Sequence, residues 1–488
     1  MSWRSRSSRY CTVLFAALIC AAPKVHLSPS AEEQSVLDRI SADSLRGHLS
    51  FIASDALEGR DTPSEGLTIA GEYIAAQFRR AGLEPPVNGG YFQNADFVEM
   101  TRDPDGVQLE LGGVHVAKEQ VTLQSTKALD LKAAPVFKLG SDEPESASLE
   151  GKVVVGRMRD YRRRDAIEKL KPAAIVLFSK SERRERGATY LVAADRLKNP
   201  RPVLIVVYDP AAVKAFDALP TGLTKETVSI AASAPSEKPA GLRNVIGLLR
   251  GSDPVLESTF ILVTAHYDHL GVKATGDGDR IFNGANDDGS GTVSVVEIAG
   301  ALATMKPHPK RSIVFMTFFG EEKGLLGSQY YAAHPVFPIG KTVAEVNLEQ
   351  IGRTDDASGP QIGTATFTGF DFTNLPKTFE AAGAETGVKV YKSGDSDSYF
   401  DRSDNQSLAD HGVPAHTLAV SLVFPDYHKV SDEWDKIDYA NMAKIDRMVA
   451  LGLIMLADNP EAPKWNEGNA KTAKYVKAWR EGRSVPAP

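Results

Sequence analysis

Two kinds of apolar segment alternate along the second half of the chain. Short, almost wholly apolar runs have the length of buried strands, as in TFILVTAHYD, RSIVFMTFFG, KTVAEVNLEQIG and VPAHTLAVS. Between and after them, apolar residues recur at helical spacing in GTVSVVEIAGALATM, GLLGSQYYAAH and ANMAKIDRMVALGLIMLAD. Strands that alternate with helices predict an α/β fold. We expect a mixed, mostly parallel central sheet with helices on both faces.

The first half of the chain follows a different pattern. Helical spacing of apolar residues in LTIAGEYIAAQFRRAGL predicts a helix that stops at Gly82. Short β-rich runs then dominate, among them GKVVVGRM, PAAIVLFSK and RPVLIVVYD. We therefore predict a main domain formed by residues 34–106 and 241–460, a β-rich inserted domain at 107–240, and a polar, loosely attached tail at 461–488.

The N-terminal segment MSWRSRSSRYCTVLFAALICAAPKV has the pattern of an export signal. Three arginines precede a short apolar run that ends in small residues, so we expect residues 1–22 to be a signal peptide of a secreted or periplasmic protein. A lipoprotein signal ending at Cys20 is an alternative that the bulky Ile19 disfavours. Both cysteines of the chain lie in this segment, which leaves the expected mature chain without disulfides or thiolate ligands.

The composition of the chain indicates which kinds of binding partner to expect. The chain is 42% hydrophobic and 24% charged, with a net charge of −7, which is ordinary for a globular protein and does not indicate nucleic acid as a partner. We find no apolar stretch after the signal that is long enough for a membrane helix. A metal, if the protein needs one, must be bound by His, Asp and Glu.

Acids and histidines fall where the predicted strands end. In open α/β sheets, ligands bind beyond the carboxyl ends of the strands, so this placement favours a functional site. The residues concerned are His266, Asp268, Glu321, Glu322, Glu349 and, in a later loop, His428. Any one of them alone would more often be a solvated or structural residue. Together, so much negative charge at one sheet edge is costly without a cation.

Oxygen and nitrogen ligands of this kind suit zinc, with cobalt or manganese as alternative occupants. They are too numerous for one tetrahedral zinc that also keeps an open position. Two metals, each with one histidine and one terminal carboxylate, would account for them. The role left for Asp287, within the glycine-rich stretch NGANDDGSGT, is that of a carboxylate shared by both metals.

A calcium-binding loop is an alternative explanation of the same stretch. The spacing of Asn286, Asp288, Ser290 and Glu297 partly fits an EF-hand loop. The context does not fit, because an EF-hand requires a helix before the loop and the preceding residues are predicted to form a strand. We therefore favour the two-metal interpretation.

Six ordered motifs resemble a known family. AHYDHLG, NGANDDGSG, FFGEEKGLLGS, NLEQIGR, RSDNQSLADHGVPA and DYHKVSDEWDKID are similar to the motifs of secreted aminopeptidases with co-catalytic zinc, relatives of glutamate carboxypeptidases and glutaminyl cyclases. They span roughly residues 260–440. ASDALEGRDTPSEG also resembles these enzymes, and residues 107–240 resemble the protease-associated domain that many of them carry as an insertion.

The resemblance implies a ligand set and a mechanism. One zinc would be bound by His266, Asp287 and Glu349, and a second by Asp287, Glu322 and His428. Glu321 would be the general base that deprotonates a metal-bridging water, and Asp268 would orient His266. Tyr427 and Arg402 match positions that stabilise the oxyanion or the substrate in some members. A cis peptide bond between Asp287 and Asp288 is also implied.

Two departures from the family pattern stand out. Glu349 occupies a position that is Asp in many members, and Asn405 stands where a histidine is common. We predict a zinc-dependent exopeptidase, an aminopeptidase acting on peptides. A carboxypeptidase with the same metals, a glutaminyl cyclase and a metal-free binding module remain as alternatives at this point.

Overall fold

The fold is described from a computed structural model of the 488-residue chain. It describes residues 28–103, 105–140, 148–181, 189–198 and 200–484. The predicted signal peptide, residues 1–22, lies outside this part of the chain. Within the part described, no helix combines the length and the apolar character needed to cross a membrane.

Strands and helices alternate much as the apolar pattern predicts. The strands are β1 (Phe92–Thr101), β2 (Val107–Leu111), β3 (Val114–Val116), β4 (Val121–Gln124), β5 (Leu129–Lys138), β6 (Val153–Arg157), β7 (Ala174–Phe178), β8 (Thr189–Ala193), β9 (Val203–Val207), β10 (Gly222–Ala232), β11 (Ser236–Leu249), β12 (Phe260–His266), β13 (Gly271–Val272), β14 (Ile281–Phe282), β15 (Ser312–Phe318), β16 (Thr342–Leu348), β17 (Asp355–Asp356), β18 (Gly359–Pro360), β19 (Thr364–Phe367), β20 (Lys389–Tyr391) and β21 (Ala415–Ala419). The helices are α1 (Ala31–Leu37), α2 (Ala42–Ile52), α3 (Glu65–Ala81), α4 (Arg164–Lys169), α5 (Pro210–Ala218), α6 (Gly291–Leu302), α7 (Leu326–Ala333), α8 (Leu375–Thr386), α9 (Asn405–Ala409), α10 (Tyr439–Asp458) and α11 (Ala473–Ser484).

A nine-stranded mixed sheet forms the centre of the main domain. Its order is β20-β19-β21-β16-β12-β15-β11-β1-β8. The four strands β21, β16, β12 and β15 run parallel. β11 extends the sheet antiparallel to β15, and β1 pairs antiparallel with β11. The prediction of a mixed sheet with a parallel centre is therefore confirmed.

Helices cover both faces of this sheet. Successive residues of β12 point to opposite faces, so that Val263 packs in one apolar cluster and Leu262 in another. The first cluster includes residues of α2, α3, α6, α8 and α10, and the second includes residues of α7, α9 and α11. Because both faces are buried, the central strands are apolar throughout rather than alternating.

The predicted stop of α3 is confirmed, and its cause is visible. The Ser64 hydroxyl accepts a hydrogen bond from the Leu67 amide at 3.0 Å and caps the start of the helix. At the other end Gly82 adopts φ 78°, a left-handed conformation that ends helices and suits glycine. Apolar residues between these points face the core.

Residues 107–232 form a second sheet of eight strands, in the order β3-β2-β10-β5-β6-β7-β9-β4. The predicted inserted segment, residues 107–240, differs from this unit at two places. β8 pairs with β1 and joins the main sheet instead, and β11 already begins at Ser236. The reason is pairing: β11 runs beside β1 from Ser236 to Val245, so the strand extends across the expected boundary.

The prediction of a loosely attached tail at 461–488 is wrong for the part described. Residues 473–484 form α11, and Trp465 and Tyr475 are buried with their rings stacked at 4.9 Å. The Trp465 indole also donates a hydrogen bond to the Gly412 carbonyl at 2.9 Å. The prediction failed because the segment is mostly polar, whereas its attachment depends on a few large aromatic side chains that pack on the main domain.

Candidate metal centre

The carboxyl ends of three parallel strands meet at one edge of the main sheet. β12 ends at His266, β15 is followed by Glu321 and Glu322, and β16 is followed by Glu349. Asp287 lies in the loop that leads into α6, directly behind the end of β12. The structure thus brings together the acids and the histidine that the sequence places at separate strand ends.

The first group of candidate ligands is the one that the resemblance implies. His266, Asp287 and Glu349 each offer an atom within 4.8 Å of the others. The His266 Nε2 atom lies 3.3 Å from Asp287 Oδ1. His266 and Asp287 are buried, so their orientations are fixed by the surrounding protein.

A second group lies on the other side of Asp287. His269, Asp287 and Glu322 likewise each offer an atom within 4.8 Å of the others. His428, the predicted ligand, is also in place, with its Nε2 atom 3.1 Å from Asp287 Oδ2 and 3.2 Å from Glu322 Oε1. Asp287 therefore faces one group with each of its carboxylate oxygens, as a shared ligand must.

Sequence reasoning missed His269 as a candidate ligand. Its imidazole is fully buried, and its Nδ1 atom lies 2.9 Å from Glu322 Oε1. The signal was present in AHYDH, because a second histidine three residues after His266 leaves the same strand end. The second group therefore has two imidazoles available, His269 and His428, instead of one.

Buried polar atoms without a hydrogen-bond partner test whether these residues fit a metal. Among the described residues, His266 Nε2, Asp287 Oδ2 and Glu322 Oε1 are such atoms, as are both ring nitrogens of His269. Buried polar atoms of this kind are normally satisfied, and here they face one another. Nitrogen and carboxylate donors are the set that zinc prefers in catalytic sites. The residues fit the expected pair of zinc ions.

The charges of the centre shift the pKa values of its carboxyl groups in opposite directions. Burial alone would raise the pKa of Asp287, but the imidazoles of His266 and His428 hold it well below its usual range. Burial and nearby acids raise the pKa of Glu349 to about 7, and burial raises the pKa of Glu321 well above its usual value. The acids cannot all be charged at low cost, and divalent cations would relieve their repulsion.

Asp268 connects His266 to the segment that carries Glu321. The Asp268 carboxylate lies 3.6 Å from His266 Nδ1, and its Oδ1 accepts a hydrogen bond from the Glu321 amide at 3.0 Å. The Thr62 hydroxyl donates to the other carboxylate oxygen at 3.1 Å. The Asp268 carbonyl oxygen lies closer to Nδ1, at 3.2 Å. Asp268 therefore occupies this nitrogen and leaves Nε2 of the same ring free to face Asp287.

We expect Asp268→Asn to weaken zinc binding roughly 10- to 100-fold, as is usual when the carboxylate behind a histidine ligand is lost. Competition with a chelator of known affinity measures the change. Asp61→Asn is a matched control, because Asp61 lies close by and pairs with Lys323 instead of with a candidate ligand. Equal zinc affinities for the two variants would show that Asp268 does not orient His266.

Hydrogen bonds to backbone amides hold the loop that carries Asp287. The Asp432 carboxylate accepts from the amides of Asn286 and Asp287 at 3.0 and 3.1 Å. Asp288 accepts from the amides of Gly291, Gln350 and His266 at 3.0 to 3.3 Å. The predicted cis peptide bond between Asp287 and Asp288 is present. Asp288 is thus occupied in joining three segments and has no free oxygen for a metal.

Close packing explains why glycine is needed here. A Cβ atom on Gly291 would lie 2.2 Å from the Leu348 carbonyl oxygen, a distance that no side chain tolerates. Gly284 adopts φ 55°, in the left-handed region that favours glycine. The glycines allow the loop to approach the ends of β12 and β16 closely enough to place Asp287 between the two groups.

The calcium-loop alternative is not supported by the geometry. Asn286 Oδ1 accepts hydrogen bonds from the amides of Gly352 and Arg353 at 2.8 and 2.9 Å, and the Ser290 hydroxyl donates to the Asn286 carbonyl. The oxygens that an EF-hand would direct at calcium are therefore used inside the protein. The segment before the loop contains β12 and not a helix.

Tyr427 and Arg402, the two other predicted site residues, differ in their position relative to the candidate ligands. Tyr427 stacks on His428 with ring centroids 3.9 Å apart, and burial followed by the charge of Asp287 raises its pKa, so the phenol keeps its proton. Arg402 is exposed, and its guanidinium lies over the Tyr399 ring at 4.5 Å. Among the described residues, no hydrogen bond or ion pair joins Arg402 to the candidate ligands.

Arg60 is a buried cation that sequence reasoning missed. Its guanidinium is fully buried and donates to the carbonyl oxygens of Tyr267, Asn283 and Gly284 at 2.9, 2.7 and 3.0 Å, and to that of Ile52. Burial lowers its pKa to about 10, and the charges of nearby aspartates oppose this shift. Arg60 is therefore positive at neutral pH. It holds the end of β12, which carries His266, and the loop that carries Asp287.

Most of the main domain is similar in sequence to a known protein family. Residues 244–452 match the profile described as peptidase family M28. A probable zinc metalloprotease from Pyrenophora teres f. teres is 34% identical over 125 residues, 25% of each sequence. Aminopeptidase YwaD of Bacillus subtilis strain 168 is 33% identical over 111 residues, 22% of each sequence. The chain thus aligns with a quarter or less of the length of these relatives.

A solved structure supports the architecture over a larger part of the chain. The aminopeptidase from Aneurinibacillus sp. strain AM-1 aligns with a TM-score of 0.55 at 20% identity, over 86% of this chain and 95% of that one. At this identity the likeness concerns the fold alone. It agrees with the mixed α/β sheet described above.

Proposed function

Because residues 244–452 match the profile of peptidase family M28, we propose that the protein is an exported zinc-dependent aminopeptidase that releases N-terminal residues from peptides. One observation carries the proposal. Two candidate ligand groups share the Asp287 carboxylate, and Glu321 lies beside them without belonging to either. Such a centre has the parts that metal-assisted hydrolysis of an amide requires.

The donor atoms favour zinc. The first group offers one imidazole and two carboxylates, and the second offers two imidazoles and two carboxylates when both His269 and His428 are included. A relative named as a probable zinc metalloprotease supports the same metal. Zinc bound at these groups would lower the pKa of a nearby water and polarise the scissile carbonyl.

Glu321 is the residue that we propose to move the proton. Its carboxyl group lies among His266, Glu349 and Glu322, and burial raises its pKa well above the usual value. A carboxylate with a raised pKa is a stronger proton acceptor at neutral pH. It would take a proton from the attacking water and pass it to the leaving amine. The Asp268 contact to the Glu321 amide fixes the start of this segment.

Tyr427 is placed to donate a hydrogen bond during the reaction. Its phenol is protonated at neutral pH, and its ring is held against His428 at the open side of the centre. A neutral donor near the site of attack can stabilise the negative charge that develops on the carbonyl oxygen. We assign this role to Tyr427 rather than to Arg402, whose exposed guanidinium lies over the Tyr399 ring.

The charge around the centre supports an aminopeptidase over a carboxypeptidase. A carboxypeptidase needs a cation for the terminal carboxylate of its substrate. Lys323 is paired with Asp61, and Arg353 with Asp355 and Asp426. Arg60 is fully buried and donates to carbonyl oxygens, so it is not available to a substrate. The surplus of carboxylates instead favours a positively charged terminal amine.

Substrates with blocked termini test the proposal. We expect the zinc-loaded protein to hydrolyse free aminoacyl anilides, and N-acetylation to lower kcat/KM at least roughly tenfold, because a hydrogen bond to a charged group contributes about 1.5–3 kcal/mol. Peptides with an amidated C-terminus should remain substrates. Chelation should abolish activity and added zinc should restore it.

Three results would overturn this proposal. Activity that survives complete removal of metal would exclude the metal centre as its source. Cleavage of N-blocked peptides from the C-terminal end would identify a carboxypeptidase. Cyclisation of N-terminal glutamine, with about one zinc per chain in metal analysis, would identify a glutaminyl cyclase.

A further inference from the structure

A continuous series of buried polar side chains crosses the central sheet directly behind the metal centre. The side chains come from β12, β16, β21 and the loop and helix after residue 400, and all are buried. We call them the buried chain, and its members are Thr264, Glu345, Asn347, Ser403, Asn405 and Thr417. One end of the buried chain, at Glu345, lies in the core, and the other end reaches Glu349 through Ser403.

The direction of each hydrogen bond in the buried chain can be deduced from one fixed point. The Phe400 carbonyl oxygen can only accept, so the Asn405 amide must turn its NH2 group toward it, at 3.0 Å. The Asn405 Oδ1 atom then faces Thr417 Oγ1 at 2.8 Å and must accept its proton. Thr417 has no second proton, so it must accept from Asn347, whose amide nitrogen is 3.1 Å away.

This reasoning also fixes the orientation of Asn347. Its NH2 group faces Thr417 and Ser403, the latter at 2.8 Å, and its Oδ1 atom therefore faces the Thr264 hydroxyl at 2.8 Å. The single proton of Thr264 must go to this oxygen. Thr264 Oγ1 also lies 2.9 Å from Glu345 Oε1. Two acceptors at that distance would repel each other, so Glu345 must supply a proton.

The surroundings of Glu345 agree with a neutral acid. The residue is fully buried, and its Oε2 atom has no hydrogen-bond partner among the described residues. Burial raises its pKa to about 8, and the negative charge of Asp404 acts in the same direction. A charged carboxylate with one bare oxygen would be far more costly at this position than a protonated one.

The other end of the buried chain acts on the metal centre. Asn347 gives its second N–H to the Ser403 oxygen. This leaves the Ser403 proton available to the Glu349 carboxylate, which is its side-chain hydrogen-bond partner. We infer that Glu345 is a neutral carboxylic acid and the donor end of the buried chain. Through this chain, Glu345 holds the Ser403 hydroxyl as a fixed donor to Glu349.

Glu345, Asn347 and Ser403 are thus positioning residues for the first ligand group. The consequence for catalysis rests on the proposed function, whereas the protonation of Glu345 does not. The side chain of Glu349 is one methylene longer than that of Asp287, the other carboxylate of this group. The fixed hydroxyl supplies an orientation that a longer side chain would otherwise lack.

Infrared difference spectroscopy tests the protonation of Glu345 without any need for activity. Wild-type protein and Glu345→Gln are compared free of metal at neutral pH. We expect the wild type to show an additional carbonyl stretch of a protonated carboxyl group, absent from the variant. A difference spectrum that contains carboxylate bands alone would overturn the inference.

Zinc affinity tests the positioning role. Glu345→Gln keeps a donor for Thr264 and should bind zinc within about twofold of wild type. Asn347→Asp removes the donor to Ser403 and should weaken zinc binding roughly 10- to 100-fold, the range for loss of a residue that orients a ligand. Ser403→Ala should weaken it in the same direction, and Ser403→Thr should restore it. Ser407→Ala is the control, because it removes a nearby buried hydroxyl that does not belong to the buried chain.

The outcomes separate this inference from the proposed function. Unchanged zinc affinity in both Asn347→Asp and Ser403→Ala would refute the positioning role. Glu345→Gln with a loss as large as that of Asn347→Asp would refute the neutral acid. A wild-type protein that binds zinc but hydrolyses no peptide would refute the proposed function and leave both of these measurements valid.

Discussion

Glu321→Gln is expected to lower kcat by about 10²-fold or more while the protein keeps its zinc, because general-base catalysis contributes about 10²–10⁴-fold. The variant keeps the size of the side chain and removes its ability to accept a proton. Glu321 belongs to neither ligand group, and the backbone bond from its amide to Asp268 does not depend on the side chain. The measurements are steady-state hydrolysis of an aminoacyl anilide and metal content per chain.

The neighbouring residue provides a matched control for this prediction. Glu322 differs from Glu321 by one position and belongs to the second ligand group. Imidazoles of His269 and His428 act against burial and hold its pKa at about 2. Glu322→Gln should therefore lose zinc as well as activity. A Glu321→Gln variant with near-wild-type turnover, or one that loses zinc as Glu322→Gln does, would exclude Glu321 as the base.

Arg60→Met is expected to destabilise the protein by at least about 3 kcal/mol, because it removes the donor from several buried acceptors at once. The substitution leaves four buried carbonyl oxygens without their donor and removes a positive charge beside the acidic centre. An unsatisfied buried acceptor alone costs about 1–3 kcal/mol. Urea denaturation of the metal-free protein measures the change in the free energy of unfolding.

Two further variants serve as controls for this measurement. Arg80→Met changes an exposed arginine at the end of α3 and should alter stability by no more than about 0.5 kcal/mol. Arg60→Lys keeps the charge but offers three donors on one atom, so it should recover only part of the loss. Arg60→Met with the stability of Arg80→Met would contradict the role that we assign to Arg60.

Much of the main domain could be predicted because local patterns and burial point to the same elements. β12, β15 and β16 are buried on both faces, and a strand of that kind is a continuous apolar run in any sequence. The rule that ligands bind at the carboxyl ends of such strands then placed His266, Glu322 and Glu349 at one edge. The outcome for the tail was different, because its few buried aromatics, Trp465 and Tyr475, lie in an otherwise polar segment.

Residues that act through long-range contacts were not predictable in this way. Arg60 and Thr264 have no distinctive spacing in the sequence, and their roles arise from partners distant in the chain, such as Asn283 for Arg60 and Glu345 for Thr264. His269 was visible in the motif, but a histidine next to a turn shows no sign of burial. Only packing against Glu322 and His428 distinguishes it from a surface residue.

The order of the residues was sufficient to predict the α/β class, the main elements of the main domain and most of the candidate metal ligands, because strand burial and ligand chemistry are local properties. Three other features are visible in the folded protein and not in the sequence. Asp287 faces a separate group with each carboxylate oxygen, Asp288 joins three segments, and the buried chain ends on Glu349. These facts depend on distances between residues far apart in the chain. Hydrogen-bond directions follow from such distances and cannot be obtained from the order of the residues alone.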